Sequence, residues 1–339
     1  MKFITCASYY GTGSSAITDF VSEFENVYSF TNEEFRFIQD PDGISDLEYN
    51  IVENFNRHNS GHAIKRYKKL IKFYSGNIFG KKYAHFFGNN WEYYSNKYLE
   101  ELVEFSYQGW WQYDLMDKGE LYYFRKRIFN KILKLTLWRH TPERTLNTLK
   151  NEITYCSNPS EEKFLDTTKR YLENLFGSVS GDSEIVMVDQ IVPPTNLKRY
   201  LRYFNDIQVV VVDRDPRDIF VLEKYFWKDG IIPSNVEEFC KWFKYTRNHR
   251  KFETMDSPQV KFIQFEDMIY NYEETTRKIR MWLQLAESSH TNKKLFFDPA
   301  KSKNNTQIWK RIQCDLEEIK YIETELEEYL YPFESIVIE

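Results

Sequence analysis

The stretch of sequence that decides the fold follows directly after a short apolar run near the start of the chain. It reads Ser8-Tyr9-Tyr10-Gly11-Thr12-Gly13-Ser14-Ser15-Ala16. The run before it, Phe3–Ala7, predicts a buried strand, and apolar residues spaced three or four apart after it predict a helix. A glycine turn and two serines between a strand and a helix present backbone N–H groups and hydroxyls to a phosphate, beside the positive end of the helix dipole. The alternative is an ordinary strand-to-helix turn capped by Ser14.

The same loop departs from two common nucleotide-binding patterns. A Walker A loop carries a lysine after its last glycine, where it binds the β- and γ-phosphates. Here Gly13 is followed by Ser14 and Ser15. The loop also lacks the G-x-G-x-x-G spacing of a dinucleotide-binding turn. The absent lysine argues against a triphosphatase or an ordinary kinase.

Further apolar runs indicate a parallel sheet. They are Ile185–Val188, Val209–Val212, Val260–Phe265 and, as a weaker candidate, Glu34–Ile38. Each precedes a turn or a helical pattern, which is the alternation of an α/β fold. In the segment from about 44 to 176, apolar residues recur at helical spacing, for example Leu99, Leu102, Val103, Phe105, Ile128, Ile132 and Leu135. We therefore expect a single α/β domain over residues 1–339, with a parallel-sheet core and a large helical insertion at about 44–176.

A second charged element follows the run Val209–Val212. It reads Asp213-Arg214-Asp215-Pro216-Arg217-Asp218. Arginines at the carboxyl end of a parallel strand lie where α/β sheets bind their ligands, and a guanidinium can bind a phosphate through two N–H groups at once. The alternative is a surface network in which these arginines and aspartates neutralise one another.

Together these elements resemble the sulfotransferases that use 3′-phosphoadenosine-5′-phosphosulfate (PAPS). Gly13-Ser14-Ser15, preceded by Thr12, stands where that family has its 5′-phosphosulfate loop, and Arg214–Asp218 stands where it has its 3′-phosphate element. Gln264–Ile269 is similar to the family's late strand and helix, and Lys301–Asn305 to its nucleotide-covering loop. The resemblance covers roughly 1–40 and 180–310. Residues 34–37 and 40–43 look closest to the bacterial polysaccharide-type members.

The resemblance implies a P-loop-like sulfotransferase core and a set of residues that bind PAPS. They are Gly11, Thr12, Gly13, Ser14, Ser15 and Ala16 at the phosphosulfate, and Arg214, Arg217, Ser302, Lys303 and Asn304 at the 3′-phosphate and its covering loop. Two positions depart from the family, since Gly11 replaces a lysine or arginine and Leu222 replaces a serine. The cation for the bridging oxygen must then come from elsewhere, and the candidates are Arg36, Lys65 and Arg66.

The resemblance also implies in-line transfer of a sulfuryl group, with a general base and without a required metal. We expect Asp189 to be the base, because it follows Ile185–Val188 where small-molecule members have a catalytic histidine. Its alternative role is that of a turn-capping residue. The second candidates are His58 and His62, and further candidates are Asp40, Asp42 and Asp46.

Composition limits the function classes. The chain has 339 residues, with 46 Lys and Arg against 51 Asp and Glu and a net charge of −5, which argues against general nucleic-acid binding. The four cysteines and six histidines show no metal-ligand spacing, and such sparse thiols indicate a reducing compartment. No apolar run approaches the roughly 20 residues of a membrane helix. We therefore expect a cytoplasmic protein without a transmembrane segment, and the sequence leaves its oligomeric state open.

Aromatic residues are abundant, at 18% of the chain. Two alternative interpretations are open for part of this set: the rings stack on sugars, or they pack in a helical core. The residues concerned are Tyr9, Tyr10, Trp91, Tyr93, Tyr94, Trp110, Trp111 and Tyr113. The function expected from the sequence is PAPS-dependent sulfation of a hydroxyl or amine acceptor, such as a glycan. The alternatives are a P-loop nucleotide kinase and a non-catalytic nucleotide-binding protein, the latter because of Gly11 and Leu222.

Overall fold

The structure is a computed structural model that describes residues 1–76, 82–140, 152–248 and 257–335. Its strands are β1 (Lys2–Ser8), β2 (Val27–Glu34), β3 (Phe105–Gln108), β4 (Ile153–Cys156), β5 (Ile185–Asp189), β6 (Ile207–Asp213) and β7 (Val260–Gln264). Its helices are α1 (Ser15–Ser22), α2 (Ile44–Glu48), α3 (Arg57–Ser75), α4 (Tyr83–Phe87), α5 (Asn90–Leu102), α6 (Gln112–Lys118), α7 (Glu120–Leu135), α8 (Glu161–Gly177), α9 (Leu197–Tyr200), α10 (Pro216–Val221), α11 (Val236–Asn248), α12 (Asp267–Tyr270), α13 (Tyr272–Trp282), α14 (Pro299–Ser302) and α15 (Leu316–Glu325).

The chain divides into two compact units. The first comprises residues 1–40 with 172–339, and the second comprises residues 41–171. The second unit overlaps the range predicted as a helical insertion, of which residues 77–81 and 141–151 lie outside the described part of the chain. In the described part, no helix has the length and apolar character needed to cross a membrane.

The first unit is built on a parallel sheet with the strand order β2-β5-β1-β6-β7. The central strand β1 pairs with β5 on one side and with β6 on the other. On one face Ile4 and Val210 pack against α1 and α13, and on the other Phe3 meets Phe176 and Phe204 edge to edge. Because both faces are covered, the central strands can be apolar almost throughout. The α/β class with a parallel sheet is therefore confirmed.

Four of the predicted strands are confirmed, and one is wrong. Phe3–Ala7, Ile185–Val188 and Val209–Val212 lie inside strands, and Val260–Phe265 overlaps β7. Glu34–Ile38 is not a strand, because β2 ends at Glu34 and the chain then turns. Its apolar residues reach the core from that irregular turn, where Phe35, Phe37 and Ile38 are fully buried.

The second unit combines helices with an antiparallel pair of strands, β3 and β4. Phe105, which the periodicity placed in a helix, begins β3 instead. Helix α3 packs directly on β4, because Gly61 lets the backbones approach; a Cβ atom there would lie 2.7 Å from the Tyr155 carbonyl oxygen. Next to it, the Ser60 hydroxyl donates to the Ser157 carbonyl. The strand pair is thus fixed by small residues of the helix rather than by an apolar face.

Candidate functional site

The candidate site is a cleft of about 760 Å³ within the first unit. Its walls come from the segments that follow β1, β2, β5, β6 and β7, together with α11 and the loop around Ser302. In an open parallel sheet, the carboxyl ends of the strands are where ligands bind. The cleft therefore lies where two elements noted in the sequence meet: the glycine loop at 11–16, called here the first anchor, and the charged element at 213–218, called the second anchor.

The glycine loop after β1 forms one wall through Gly11, Gly13, Ser14, Ser15 and Ala16. Gly11 and Gly13 have φ values of +65° and +87°, which favour glycine. Both also lack room for a side chain. A Cβ atom on Gly13 would lie 2.5 Å from the ring of Phe265, and one on Gly11 would lie 2.8 Å from the ring of Trp227.

Three residues at 11–16 of this loop carry hydroxyl groups, namely Thr12, Ser14 and Ser15. The Ser14 hydroxyl donates to Asp189 at 3.4 Å, and Ser14 and Ser15 border the cleft at the start of α1. Thr12 does not border the cleft; its buried hydroxyl finds no hydrogen-bond partner among the described residues. The two serines are therefore the loop hydroxyls that a ligand in the cleft can meet.

Arg214 joins the glycine loop to the segment at 302–308, called here the C-terminal loop. Its side chain is buried, with the whole residue 4% exposed, yet it borders the cleft. Nη1 donates to the Gly11 carbonyl at 3.2 Å, Nη2 donates to the Asn305 carbonyl, and the guanidinium lies 4.8 Å from the centre of the Phe265 ring. Its Nε–H has no partner among the described residues. The predicted second anchor thus contacts the first.

The C-terminal loop is fixed by Asp218. This carboxylate accepts the backbone N–H groups of Gln307 and Ile308 at 2.9 and 2.7 Å. Burial raises the pKa of Asp218 to about 6, against the opposing effect of Arg214. The loop brings Ser302 and its neighbour Asn305 to the cleft.

Besides Thr12, three of the predicted nucleotide-binding residues do not border the cleft. Arg217 is held by Asp215 at 2.7 Å and by Glu323 at 2.8 Å, and it stacks over Trp309. Lys303 extends over the ring of Tyr270, and Asn304 accepts hydrogen bonds from Arg311.

The Asp189 carboxyl lies at the end of β5, behind Ser14. Burial raises its pKa to about 8, and the nearby Glu34 acts in the same direction, while the hydrogen bond from Ser14 opposes both. Its Oδ1 atom is buried without a partner among the described residues, and the residue does not border the cleft. A carboxyl group with this pKa is mostly protonated at neutral pH.

Glu34 and Arg36 border the cleft at the end of β2. The Glu34 side chain is 49% exposed, and its carboxylate lies 3.6 Å from the Arg36 guanidinium. Arg36 also donates to Asp40 at 3.3 Å and lies 5.9 Å from the centre of the Tyr10 ring. Arg36 was predicted from the sequence as a site residue, whereas Glu34 was not, although Glu34 begins the stretch that carried the polysaccharide-type resemblance.

The other predicted catalytic side chains belong to the second unit. The His58 ring stacks on Trp111 at 3.9 Å, and His62 Nδ1 lies 3.7 Å from Asp117. Their two cationic neighbours on α3 are also paired, Lys65 with Asp114 and Arg66 with Asp42. Of the predicted acids, Asp46 accepts the Asp42 backbone N–H at 2.8 Å, as expected of a turn.

Arg247 on α11 holds the last residue of β6 in place. It is fully buried, donates to Asp213 at 2.7 Å and lies over the rings of Phe243 and Tyr9. Asp213 also accepts the Arg214 backbone N–H at 2.9 Å. This ion pair therefore fixes the start of the second anchor. Its two members are far apart in sequence, and no local pattern links them.

Exposed aromatic residues stand around the cleft. They are Tyr10, Trp227, Tyr245 and Phe296. Of the aromatic residues considered for sugar stacking, Tyr9 and Tyr10 border the cleft, whereas Trp91 is buried in the second unit. Both Trp110 and Trp111 are exposed in the second unit, just before α6.

Among the described residues, His, Cys, Asp and Glu side chains do not gather in groups of three or more that could hold a metal ion. The prediction that the reaction requires no metal stays a prediction.

No protein-family model matches the chain, and no curated protein matches it. Solved structures do. A retinol dehydratase in complex with androsterone and the inactive cofactor PAP has 14% identity and a TM-score of 0.38, covering 98% of this chain and 84% of its own. The sulfotransferase STF9 from Mycobacterium avium has 11% identity and a TM-score of 0.38, covering 97% and 76%. The sulfotransferase STF1 from Mycobacterium tuberculosis H37Rv has 11% identity and a TM-score of 0.32, covering 90% and 76%.

Proposed function

We propose that this protein transfers a sulfuryl group from PAPS to a hydroxyl or amine of an acceptor. The observation that carries the proposal is Arg214, which borders the cleft while holding the glycine loop at Gly11 and the C-terminal loop at Asn305. A guanidinium that is fixed between two loops can bind a phosphate through its N–H groups. Because the glycine turn beside it has no lysine, the pair suits a nucleotide that carries a second phosphate separate from its 5′-phosphate.

The residues of the cleft fit the two anionic ends of PAPS. The 5′-phosphosulfate would lie on the loop Gly11–Ala16, where Ser14 and Ser15 offer hydroxyls and α1 offers its positive end. The 3′-phosphate would lie at Arg214, whose Nε–H has no partner in the described part of the chain, and at Ser302. PAPS itself supplies the sulfuryl group.

Carboxyl groups near this loop repel an anionic ligand unless they are protonated. Burial raises the pKa of Asp189 to about 8, whereas Asp19, with its pKa raised only to about 6, stays mostly ionised at neutral pH. At neutral pH the Asp189 carboxyl is therefore mostly uncharged and does not repel the phosphosulfate.

For the cation at the bridging oxygen we propose Arg36. It borders the cleft, and a fixed guanidinium stabilises charge that develops on the leaving oxygen. Lys65 and Arg66 belong to the second unit and are engaged by Asp114 and Asp42.

Two carboxylates compete for the role of general base. Asp189 was the candidate from the sequence, but it is buried behind Ser14. Glu34 borders the cleft with a half-exposed side chain, so an acceptor hydroxyl can reach it. A base must lie within hydrogen-bond reach of the proton that it removes. This requirement supports Glu34 as the base and Asp189 as a support of the loop.

For the acceptor we propose a glycan. The exposed rings of Tyr10, Trp227, Tyr245 and Phe296 offer flat surfaces on which sugars can stack. We also propose that the protein acts in the cytoplasm, since Cys6, Cys156, Cys240 and Cys314 are all free thiols.

The deciding experiment is calorimetry with 3′-phosphoadenosine-5′-phosphate (PAP), AMP and ATP, followed by transfer of labelled sulfate from PAPS to a panel of glycans. We expect PAP to bind roughly ten- to 150-fold more tightly than AMP, since a hydrogen bond to a charged group contributes about 1.5–3 kcal/mol. Arg214→Lys should remove this preference, whereas the matched variant Arg217→Lys should keep it. Equal affinity for PAP and AMP would refute the proposal, and tightest binding of ATP would favour a kinase. PAP binding without any transfer would leave a nucleotide-binding protein.

A further inference from the structure

Helix α7 leaves its whole apolar stripe exposed. Within this helix, which is fully described, no residue is buried. Its apolar residues recur at intervals of three or four and so share one face. That face consists of Leu121, Phe124, Ile128, Ile132 and Leu135, with exposed fractions between 45% and 67%. Just beyond the helix, Leu137 is 80% exposed. A helix of a globular protein ordinarily buries such a stripe.

The same helix is strongly basic, in a chain whose net charge is −5. It has one acidic residue, Glu120 in its first turn, and five basic ones: Arg125, Lys126, Arg127, Lys131 and Lys134. None of these five forms a salt bridge with a described residue. At 100° per residue, Arg127, Lys131 and Lys134 flank the apolar face on one side, and Arg125 flanks it on the other. The cations therefore stand at the edges of the apolar stripe.

We propose that α7 binds to the surface of an anionic membrane, lying in the plane of the interface. The apolar face would enter the boundary between headgroups and acyl chains, and the flanking cations would meet the lipid phosphates. The helix has 16 residues and carries charges along its length, so it suits the interface rather than a span.

Charge selects the membrane over a second copy of the chain as the occupant of this face. Two copies packed through their α7 stripes would bring the two sets of flanking cations close together, and like charges in contact disfavour association. An anionic lipid surface instead supplies the opposite charge along the entire helix. The inference does not depend on the proposed sulfotransferase activity.

The test is co-sedimentation of the full-length protein with vesicles. We expect binding to vesicles of phosphatidylcholine mixed with phosphatidylglycerol, little binding to phosphatidylcholine alone, and weaker binding at high salt, because salt screens the attraction. Each basic residue removed should weaken binding about fivefold. Lys131→Gln/Lys134→Gln tests the charge, with Lys72→Gln/Lys97→Gln, at exposed positions on α3 and α5, as its control.

The apolar face is tested by Phe124→Ser/Ile128→Ser, which should weaken binding at least about tenfold. Its control is Met281→Ser/Leu316→Ser, which changes two similarly exposed apolar residues of the first unit. Equal binding to neutral and anionic vesicles, or binding that none of the α7 variants weakens, would overturn the proposal. The absence of binding to both kinds of vesicle would also overturn the proposal. A dimer seen by light scattering and lost in Phe124→Ser/Ile128→Ser, without vesicle binding, would assign the face to a second copy.

Discussion

Glu34 and Asp189 are two carboxyl groups near one another in very different surroundings. Glu34 is half exposed at the cleft and pairs with Arg36. Asp189 is buried, and its pKa is raised to about 8 chiefly by the loss of water around it. One environment keeps a carboxyl accessible from the cleft, and the other keeps a carboxyl largely neutral beneath the glycine loop.

The variants Glu34→Gln and Asp189→Asn separate these roles. We expect Glu34→Gln to lower sulfate transfer by roughly 10²–10⁴-fold, the usual contribution of a positioned general base, while PAP still binds normally. Asp189→Asn keeps the shape of the loop support and should retain transfer within about tenfold. Transfer rates together with PAP affinities measure both effects. The reverse pattern, with Asp189→Asn inactive and Glu34→Gln active, would return the role to Asp189.

At the scale of elements, the turn between β1 and α1 is tightly constrained. Gly13 has φ +87°, and an added Cβ atom would lie 2.5 Å from the ring of Phe265. Phe265 in turn lies under the guanidinium of Arg214. A change at Gly13 therefore reaches both anchors of the cleft.

We expect Gly13→Ala to weaken PAP binding strongly, because the displaced Phe265 ring moves both the loop and Arg214. Gly181→Ala is the matched control. Gly181 also has positive φ, at +60°, but an added Cβ atom there would meet nothing within 4 Å. Both variants share the cost of a strained backbone, of order 1–3 kcal/mol, which thermal unfolding would report. If Gly13→Ala binds PAP as well as Gly181→Ala does, close packing against Phe265 does not matter for binding.

The sequence revealed the elements whose residues carry a pattern of their own. β1, β5 and β6 are buried on both faces and therefore appear as apolar runs. β2 was missed, because Val27–Glu34 mixes apolar and polar residues. The pair β3 and β4 was missed because all of β3 is exposed and its partner comes more than forty residues later.

The candidate site, too, was predictable only where its residues belong to a local sequence motif. The glycine loop and Arg214 could be found because motifs mark them. Arg217 belongs to the same motif, but Asp215 and Glu323 hold it away from the cleft. Glu34 and Arg247 could not be assigned, since only the folded chain places Glu34 opposite Asp189 at the cleft and Arg247 beside Asp213.

On the scale of the whole molecule, buried acids determine how stability depends on pH. Burial raises the pKa of both Asp189 and Glu266 to about 8. In the unfolded chain these groups titrate near pH 4. Between about pH 4 and pH 8 the folded state therefore holds protons that the unfolded state has released, and the free energy of unfolding falls as pH rises through this window.

We expect the midpoint of thermal unfolding to be lower at pH 8 than at pH 6. Each fully shifted group contributes up to about 1.4 kcal/mol per pH unit. Asp189→Asn should reduce the fall, because its amide stays neutral at both pH values, whereas Asp182→Asn, at an exposed position, should leave it unchanged. A fall of the same size in the wild type and in Asp189→Asn would show that Asp189 is ionised in the folded state.

The central position of β1 has a consequence for synthesis on the ribosome. Its neighbours β5 and β6 begin more than 180 residues later in the chain. At roughly 5–20 residues per second, the first strand waits on the order of ten to forty seconds for its first partner to be translated. The contiguous segment 41–171 is complete before that moment. During this interval an apolar strand is exposed to other nascent chains and to chaperones, so slow translation should raise its risk of aggregation more than that of any later strand.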